Sequence, residues 1–422
     1  MAQTLKFGNG TWATKKGSTL AFNDEDGNYK PLPFATTRAT SATRVNKEGL
    51  IEVVENDRPR IDYLDSEDGS LLLEPIRTNK ISTSNDFNGS AWLVSDITAT
   101  ANQVVSPDGT LNASKLEATG NGSLRNQSEA SFNDGYAYSI FIKKGNSRYV
   151  TIRSAFFTQS IVVGFDLDTL SAQTNGKIED YGNDWYKLSI SKNISGDADK
   201  SGYFYLYLPD SLGAQTSESG NYVYAYGGQI EDGSYPSSYI PTQGSAVTRV
   251  ADTANGAGNS EVFSDSSGVL FADISPLADD GTFRMIGIFD SQTGNVDRIQ
   301  IYYRSDANKM SFLIEENNVN QFLKTLDVNT TQYNKCAFQY GNTSSVYING
   351  FKLAEETGIT IPNDLQRLSF NEQNGGNDFY GKTKEIAYYN TALTDLELET
   401  LTSYRSWLSM VNELNLNVIY NG

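Results

Sequence analysis

The chain of 422 residues contains no histidine. That absence removes the commonest general base, the commonest metal ligand and the side chain that titrates near neutral pH. Triads built on His, His-containing zinc sites and the H-E-x-x-H arrangement are excluded with it. Cysteine is nearly absent too. The single Cys336, in NKCAFQY, allows no internal disulfide. It alternates onto a strand and reads as a buried structural thiol, because no imidazole is present to activate it. Basic residues are outnumbered, 33 Lys and Arg against 51 Asp and Glu, for a formal net charge of −18. Such a chain repels a phosphate backbone, so nucleic acid is not an expected partner, and solubility is the plain reading of the charge. No apolar run approaches a membrane span, so no membrane insertion is expected. The opening MAQTLKFGNG lacks the apolar core of a signal peptide, which gives the expectation of folding in a reducing cytoplasm.

What the chain does have is aromatic and turn-forming. It carries 25 Tyr, 20 Phe and 36 Gly, with many Asn, Ser and Thr, the texture of an all-β protein with frequent turns. The predicted fold is two β-sandwiches of jelly-roll type, preceded by an irregular β-rich N-terminal segment and carrying one short C-terminal helix. The expected divisions are 1–80 for an attachment and oligomerisation segment, 81–252 for the first sandwich with its exit linker, and 253–422 for the second sandwich with the helix.

Within 1–80, turn signals at Asn9-Gly10 and Asp26-Gly27 suggest hairpins. Trp12–Thr14, Thr19–Phe22, a strand after Gly49 and the run Leu71–Leu73 supply short strands. Too little apolar sequence is present for an independent core, so this leader is expected to pack on the next domain, on another copy or on a larger particle. Strands of the first sandwich are predicted at 113–118, 137–143, 149–154, 161–166, 185–191, 203–207 and 222–229. Trp185 reads as a core plug rather than a sugar-stacking ring.

The second sandwich is predicted from strands at 269–274, 284–290, 297–303, 310–315, 332–340, 344–348 and 385–389. SSVYINGFKL reads as a hairpin turning at Asn349-Gly350. Thr394 and Glu397 make a capping box, so a helix should begin there with Leu398, Leu401 and Tyr404 or Leu408 turned inward.

Three motif blocks carry a family resemblance. The first is Arg38, Thr40, Ala42, Thr43, Arg44, Val45 and Gly49. The second runs from Arg60-Ile61-Asp62-Tyr63 through Leu71-Leu72-Leu73-Glu74-Pro75 to Arg77-Thr78-Asn79. The third joins Gly227, Gln229 and Glu231 to Ser238-Tyr239-Ile240-Pro241-Thr242 and Thr248-Arg249. Together they resemble the leader and exit of the carbohydrate-binding-like sandwich found in tailed-phage fibre and spike proteins. Val346–Gly350, Leu353, Glu385–Ala387, Tyr389, Asn390, Ala392–Asp395, Glu397, Leu398 and Leu401 resemble the end of LamG-like, concanavalin A-type jelly rolls. Those resemblances imply a virion surface protein of head or tail, assembled in the host cytoplasm. Its partners would be other virion proteins through the N-terminal segment, further copies in a homotrimer, and host or environmental glycans. A ligand-free capsid or tail decoration and a polysaccharide depolymerase are the alternatives.

For catalysis on sugars, two carboxylates about 5 to 10 Å apart are needed. Glu315-Glu316 are adjacent and would face opposite sides of a strand. Asp166 and Asp168 share a face beside a turn and read as solvated. No catalytic residue, cofactor or metal ligand is therefore assigned, and the chain is read as a non-enzyme. Residues 371–378, NEQNGGND, form a loop that suits either calcium or turn geometry, and the turn reading is preferred. Asn371, Asn374, Asn377, Asp378 and Tyr380 are the glycan-binding candidates, with Phe379 beside them as an aromatic neighbour.

Overall fold

The computed structural model describes residues 4–23, 28–126, 130–155, 158, 160–291, 296–404 and 410. Among the described residues the protein is all-β, with one short helix as a complete element. It forms two compact units. One comprises 1–39, 56–75 and 251–422, and the other 40–55 and 76–250.

The expected three-part division therefore differs from the observed one. Residues 1–80 form no separate body but are shared between the units, and the boundary near the exit falls between Val250 and Ala251. The reason is strand pairing. Leu5–Gly8 pairs antiparallel with Gly381–Tyr389, Leu5 opposite Tyr388 and Phe7 opposite Ile386. Ser70–Leu73 pairs with the other end of that same strand. Leader side chains Leu5, Phe7, Ala21, Phe34, Leu71 and Leu73 join the core of the first-named unit. Of the three packing partners expected for the leader, its own chain supplies the burial, and the leader no longer gives a reason to expect a trimer. Thr253–Asn255 pairs with Asn28–Thr37, and Ala254 and Ala257 are fully buried.

In this unit a sheet of twelve described strands and one of five, Val319–Asp327, Lys309–Glu316, Arg298–Tyr303, Arg284–Phe289 and Arg367–Ser369, share one core. Alternation sorts the side chains. Ile286, Ile288, Ile299, Ile301, Phe312 and Ile314 enter that core, whereas Met285, Tyr302 and Leu313 cluster with Phe283 on the opposite face of the five-stranded sheet. Cys336 is buried in the core, and burial pushes its thiol well above the usual range.

The hairpin at Asn349-Gly350 has both residues at positive φ, 50° and 90°, as a type I′ turn demands. Helix Asp395–Thr402 starts at Thr394 with both capping-box bonds formed. Its Leu398 is buried against Val269, Phe271, Tyr347 and Tyr389, with Leu401 beside it. The helix ends before Tyr404. Leu408 and the Asp26-Gly27 turn lie outside the described residues.

The other unit is built on a sheet of eleven described strands in which all seven predicted strands are present. Trp185 is buried, but on the face of its strand opposite the core residues Leu188 and Ile190, and its indole N–H donates to the carbonyl of Val105 at 3.0 Å. Trp92–Val105 and Gly176–Asp180 are strands that alternation did not reveal, the first because it is mostly polar and exposed along its length.

Candidate functional site

The loop between strands Arg367–Ser369 and Gly381–Tyr389 holds the predicted glycan candidates. Backbone bonds close it on itself, Glu372 N–H to Gly376 O at 2.8 Å and Gly375 N–H to Glu372 O at 2.9 Å. Asn377 and Gly375 take positive φ, so amide and glycine residues here serve turn geometry. Asn374 and Asn377 are exposed, whereas Asn371, Asp378 and Tyr380 are half-buried.

Asn371, Asp378 and Tyr380 are brought together. The Tyr380 hydroxyl donates to Asp378 Oδ2 at 2.9 Å, and Asn371 also bonds that carboxylate. Burial still holds the Asp378 carboxyl above its ordinary range, outweighing both hydrogen bonds. Phe379 does not offer its ring to a ligand. It is 1% exposed and packs between Phe370 and Tyr303 in the core.

The loop is anchored to the edge of the five-stranded sheet, where Met285 N–H donates to Asn377 O at 3.1 Å and Met285 bridges Asp378. This sets the Asn371–Asp378–Tyr380 cluster beside the sheet face opposite the core, where Met285 and Tyr302 are themselves buried. On the same face Arg298 and Glu315 pair at 3.2 Å on neighbouring strands. Burial raises the Glu315 carboxyl above its usual range despite Arg298, with Asp297 adding to the shift. Gln300 is buried between them and Tyr302 in the strand sequence RIQIYY. The sequence reading passed over Arg298, Gln300 and Tyr302, although the alternation of that string carried the signal. Of these groups the half-buried Asn371, Asp378, Tyr380 and Arg298 are the ones that can bond hydroxyls.

Elsewhere, Asp166 is not a free acid. Arg148 grips it through Nη2 at 2.7 Å and Nε at 3.1 Å, holding its carboxyl well below the usual range, while Asp168 is paired by Lys144. Among the described residues no group of three or more His, Cys, Asp or Glu is placed to hold a metal ion. A cleft of about 310 Å³ lined by Asn329, Asn334, Asn349, Phe351 and Tyr404 opens beside the hairpin.

Residues 270–399 match the concanavalin A-like lectin/glucanases superfamily, a LamG-like jelly roll. No curated protein matches the chain. Among solved structures it is similar to the carbohydrate-binding module CBM40 of the Ruminococcus gnavus IT-sialidase, at 16% identity over 35% of this chain and 93% of that one, TM-score 0.29. It is also similar to the heptameric SAP-like pentraxin of Limulus polyphemus, at 12% identity over 35% and 74%, TM-score 0.28. Mouse laminin α1 domains LG4-5 align at 11% identity over 74% and 88%, TM-score 0.24. At these identities and TM-scores the alignments say nothing of ligand or activity.

Proposed function

We propose that the protein is a virion surface adhesin of a tailed phage that holds host or environmental glycans without cleaving them. The match of residues 270–399 to a superfamily of lectins and glucanases carries the sugar-binding reading. The cluster of Asn371, Asp378 and Tyr380 beside Arg298 supplies groups suited to it. The phage setting rests on the three motif blocks in the leader and exit. Non-catalytic binding follows from the sequence: the required acid pair is not evident, and Asp166 and Asp168 are engaged by cations.

A single such site would bind weakly, in the roughly millimolar range or about −4 kcal/mol. Several copies on one particle would raise avidity by about 10² to 10⁴. A glycan array probed with the full chain and with whole particles tests the reading, and antibody labelling of particles locates the chain. Binding lost in an Asn371→Ala, Tyr380→Phe variant supports it. Release of shortened oligosaccharides would make the protein a depolymerase, and silence from chain and particle alike would leave a decoration protein. One observation favours that second reading: the motif residues Arg38, Arg60, Glu74, Glu231 and Arg249 are all buried.

A further inference from the structure

The unit of residues 40–55 and 76–250 carries an arrangement that the glycan-loop reading does not use. In strand Ser201–Tyr207, Phe204 and Leu206 enter the core, so Tyr203, Tyr205 and Tyr207 stand on the opposite face. By the same alternation, Val150, Ile152 and Leu124 are core residues, which sets Thr151, Arg153 and Arg125 on the tyrosine face. The registers put Arg153 directly opposite Tyr205 on one side and Arg125 opposite it on the other. One row therefore reads Arg–Tyr–Arg across three adjacent strands. The Arg125 guanidinium lies 4.3 Å from the Tyr203 ring centre, and both guanidiniums lie 5.9 Å from that of Tyr205. Tyr207 stacks nearly parallel on Tyr205, with centroids 6.1 Å apart.

Charge makes this row unusual. The chain has a formal net charge of −18, and Arg44, Arg148, Arg284, Arg298 and Arg304 each meet a carboxylate. Arg125 and Arg153 meet none among the described residues, and the one hydrogen bond of Arg125 goes to the carbonyl of Asn126. Both are half-buried rather than fully solvated. On the same face the Thr151 hydroxyl, in a fully buried residue, has no hydrogen-bond partner among the described residues.

We propose that this row is a binding site for a carboxylate-bearing sugar, such as a uronic acid unit of an acidic polysaccharide. A guanidinium fork matches a carboxylate with two parallel hydrogen bonds, and its planar shape keeps that geometry while it rests on an aromatic ring. The exposed part of Tyr205 gives the apolar face of a sugar ring a surface to rest on. Two guanidiniums flanking one tyrosine suit repeated carboxylates along a polymer better than an isolated anion. The site is independent of the loop at 371–380, which lies in the other unit.

The test is calorimetric titration of the full chain with polygalacturonate, neutral dextran and dextran sulfate. Binding of polygalacturonate and not of dextran is expected. Arg125→Gln with Arg153→Gln should weaken it at least ten-fold, and Tyr205→Ala comparably, with near-UV circular dichroism unchanged. The single Arg153→Gln variant keeps the test readable if the double variant does not fold. Leu396→Ala, an exposed position in the other unit, should leave polygalacturonate binding intact. The proposal is overturned by no binding of polygalacturonate, by binding that survives Arg153→Gln undiminished, or by equal binding of dextran sulfate that Arg125→Lys with Arg153→Lys retains in full. That last result would reduce the row to diffuse charge attraction.

Discussion

Arg38 and Asp252, 214 positions apart in the chain, meet in an ion pair of 2.8 Å with both side chains buried. The other Asp252 oxygen accepts from Arg60, whose second nitrogen reaches Glu74 at 2.7 Å. Two further bonds lock the assembly: Glu74 N–H donates to Asp252 Oδ2 at 3.0 Å, and Asp252 N–H donates to the Glu74 carbonyl at 3.0 Å. Burial alone would lower the Arg60 pKa, but the two carboxylates outweigh it and hold the guanidinium charged. Residues from two of the motif blocks thus serve one task, tying the leader to the segment that follows the exit. The third block works in the same manner in the other unit. Glu231 accepts from Gln229 and Ser237, Gln229 Oε1 accepts from Ile240 N–H at 2.7 Å, and Arg249 reaches Ser238.

Removing one member of the buried network leaves the others charged and uncompensated. Asp252→Asn should therefore destabilise its unit by about 3–5 kcal/mol, read as a lower midpoint in urea unfolding. A replacement of both Arg60 and Asp252 by apolar residues of similar volume should cost less than Asp252→Asn alone. Loss of less than about 1 kcal/mol in Asp252→Asn would show that the network is not an energetic requirement.

Much of the fold was legible because alternation and turn chemistry act locally. Strands such as Gly135–Lys144, the Asn349-Gly350 turn and the Thr394 capping box each carry their own signal within a few residues. The division into units was not legible, because it depends on pairings like Leu5 with Tyr388 that no local pattern encodes. Site residues divided along the same line. Asn371, Asp378 and Tyr380 could be named from composition, but that Phe379 turns into the core depends on Phe370 and Tyr303. The row Arg125–Tyr205–Arg153 joins three strands, and only register reveals it.

Acid should act through Asp166. Its folded pKa is depressed by the Arg148 hydrogen bonds first, with backbone N–H groups of Asp168 and Thr169 assisting. A depressed carboxylate contributes stability above its unfolded pKa, about 3.9, and loses it as pH falls through the folded value. Arg148→Gln should therefore move the onset of acid unfolding to higher pH and leave stability at pH 7 less affected than Asp252→Asn does. Carboxyl carbon NMR should show Asp166 titrating closer to the ordinary range in the variant. An unchanged Asp166 titration would mean that Arg148 is not its main partner in solution.

Gly122 marks a close approach between strands. A Cβ there would lie 1.8 Å from the carbonyl oxygen of Ser95 on the paired strand. The strands Trp92–Val105 and Leu111–Asn126 shift register between Ser95 and Ile97, and the missing side chain lets them pass. Gly122→Ala should cost about 1–3 kcal/mol through forced backbone displacement, whereas Gly196→Ala, with open space around it, should change little. Equal melting temperatures for the two variants would contradict the contact.

Asp378 should behave in the opposite sense to Asp166. Burial raises its folded pKa above the unfolded value, so the folded state binds the proton more tightly. The ionised carboxylate then opposes folding at pH 7, and that opposition fades as pH falls through the folded pKa toward the unfolded one. Asp378→Asn removes the charge while its amide oxygen can still accept from the Tyr380 hydroxyl, which sits 2.9 Å from Asp378 Oδ2. The variant should melt higher than the parent at pH 7 and lose that advantage near pH 3. A lower melting temperature at pH 7 would show that the ionised carboxylate is needed to hold the loop. In that case the carboxylate must be kept charged in any test of sugar binding there.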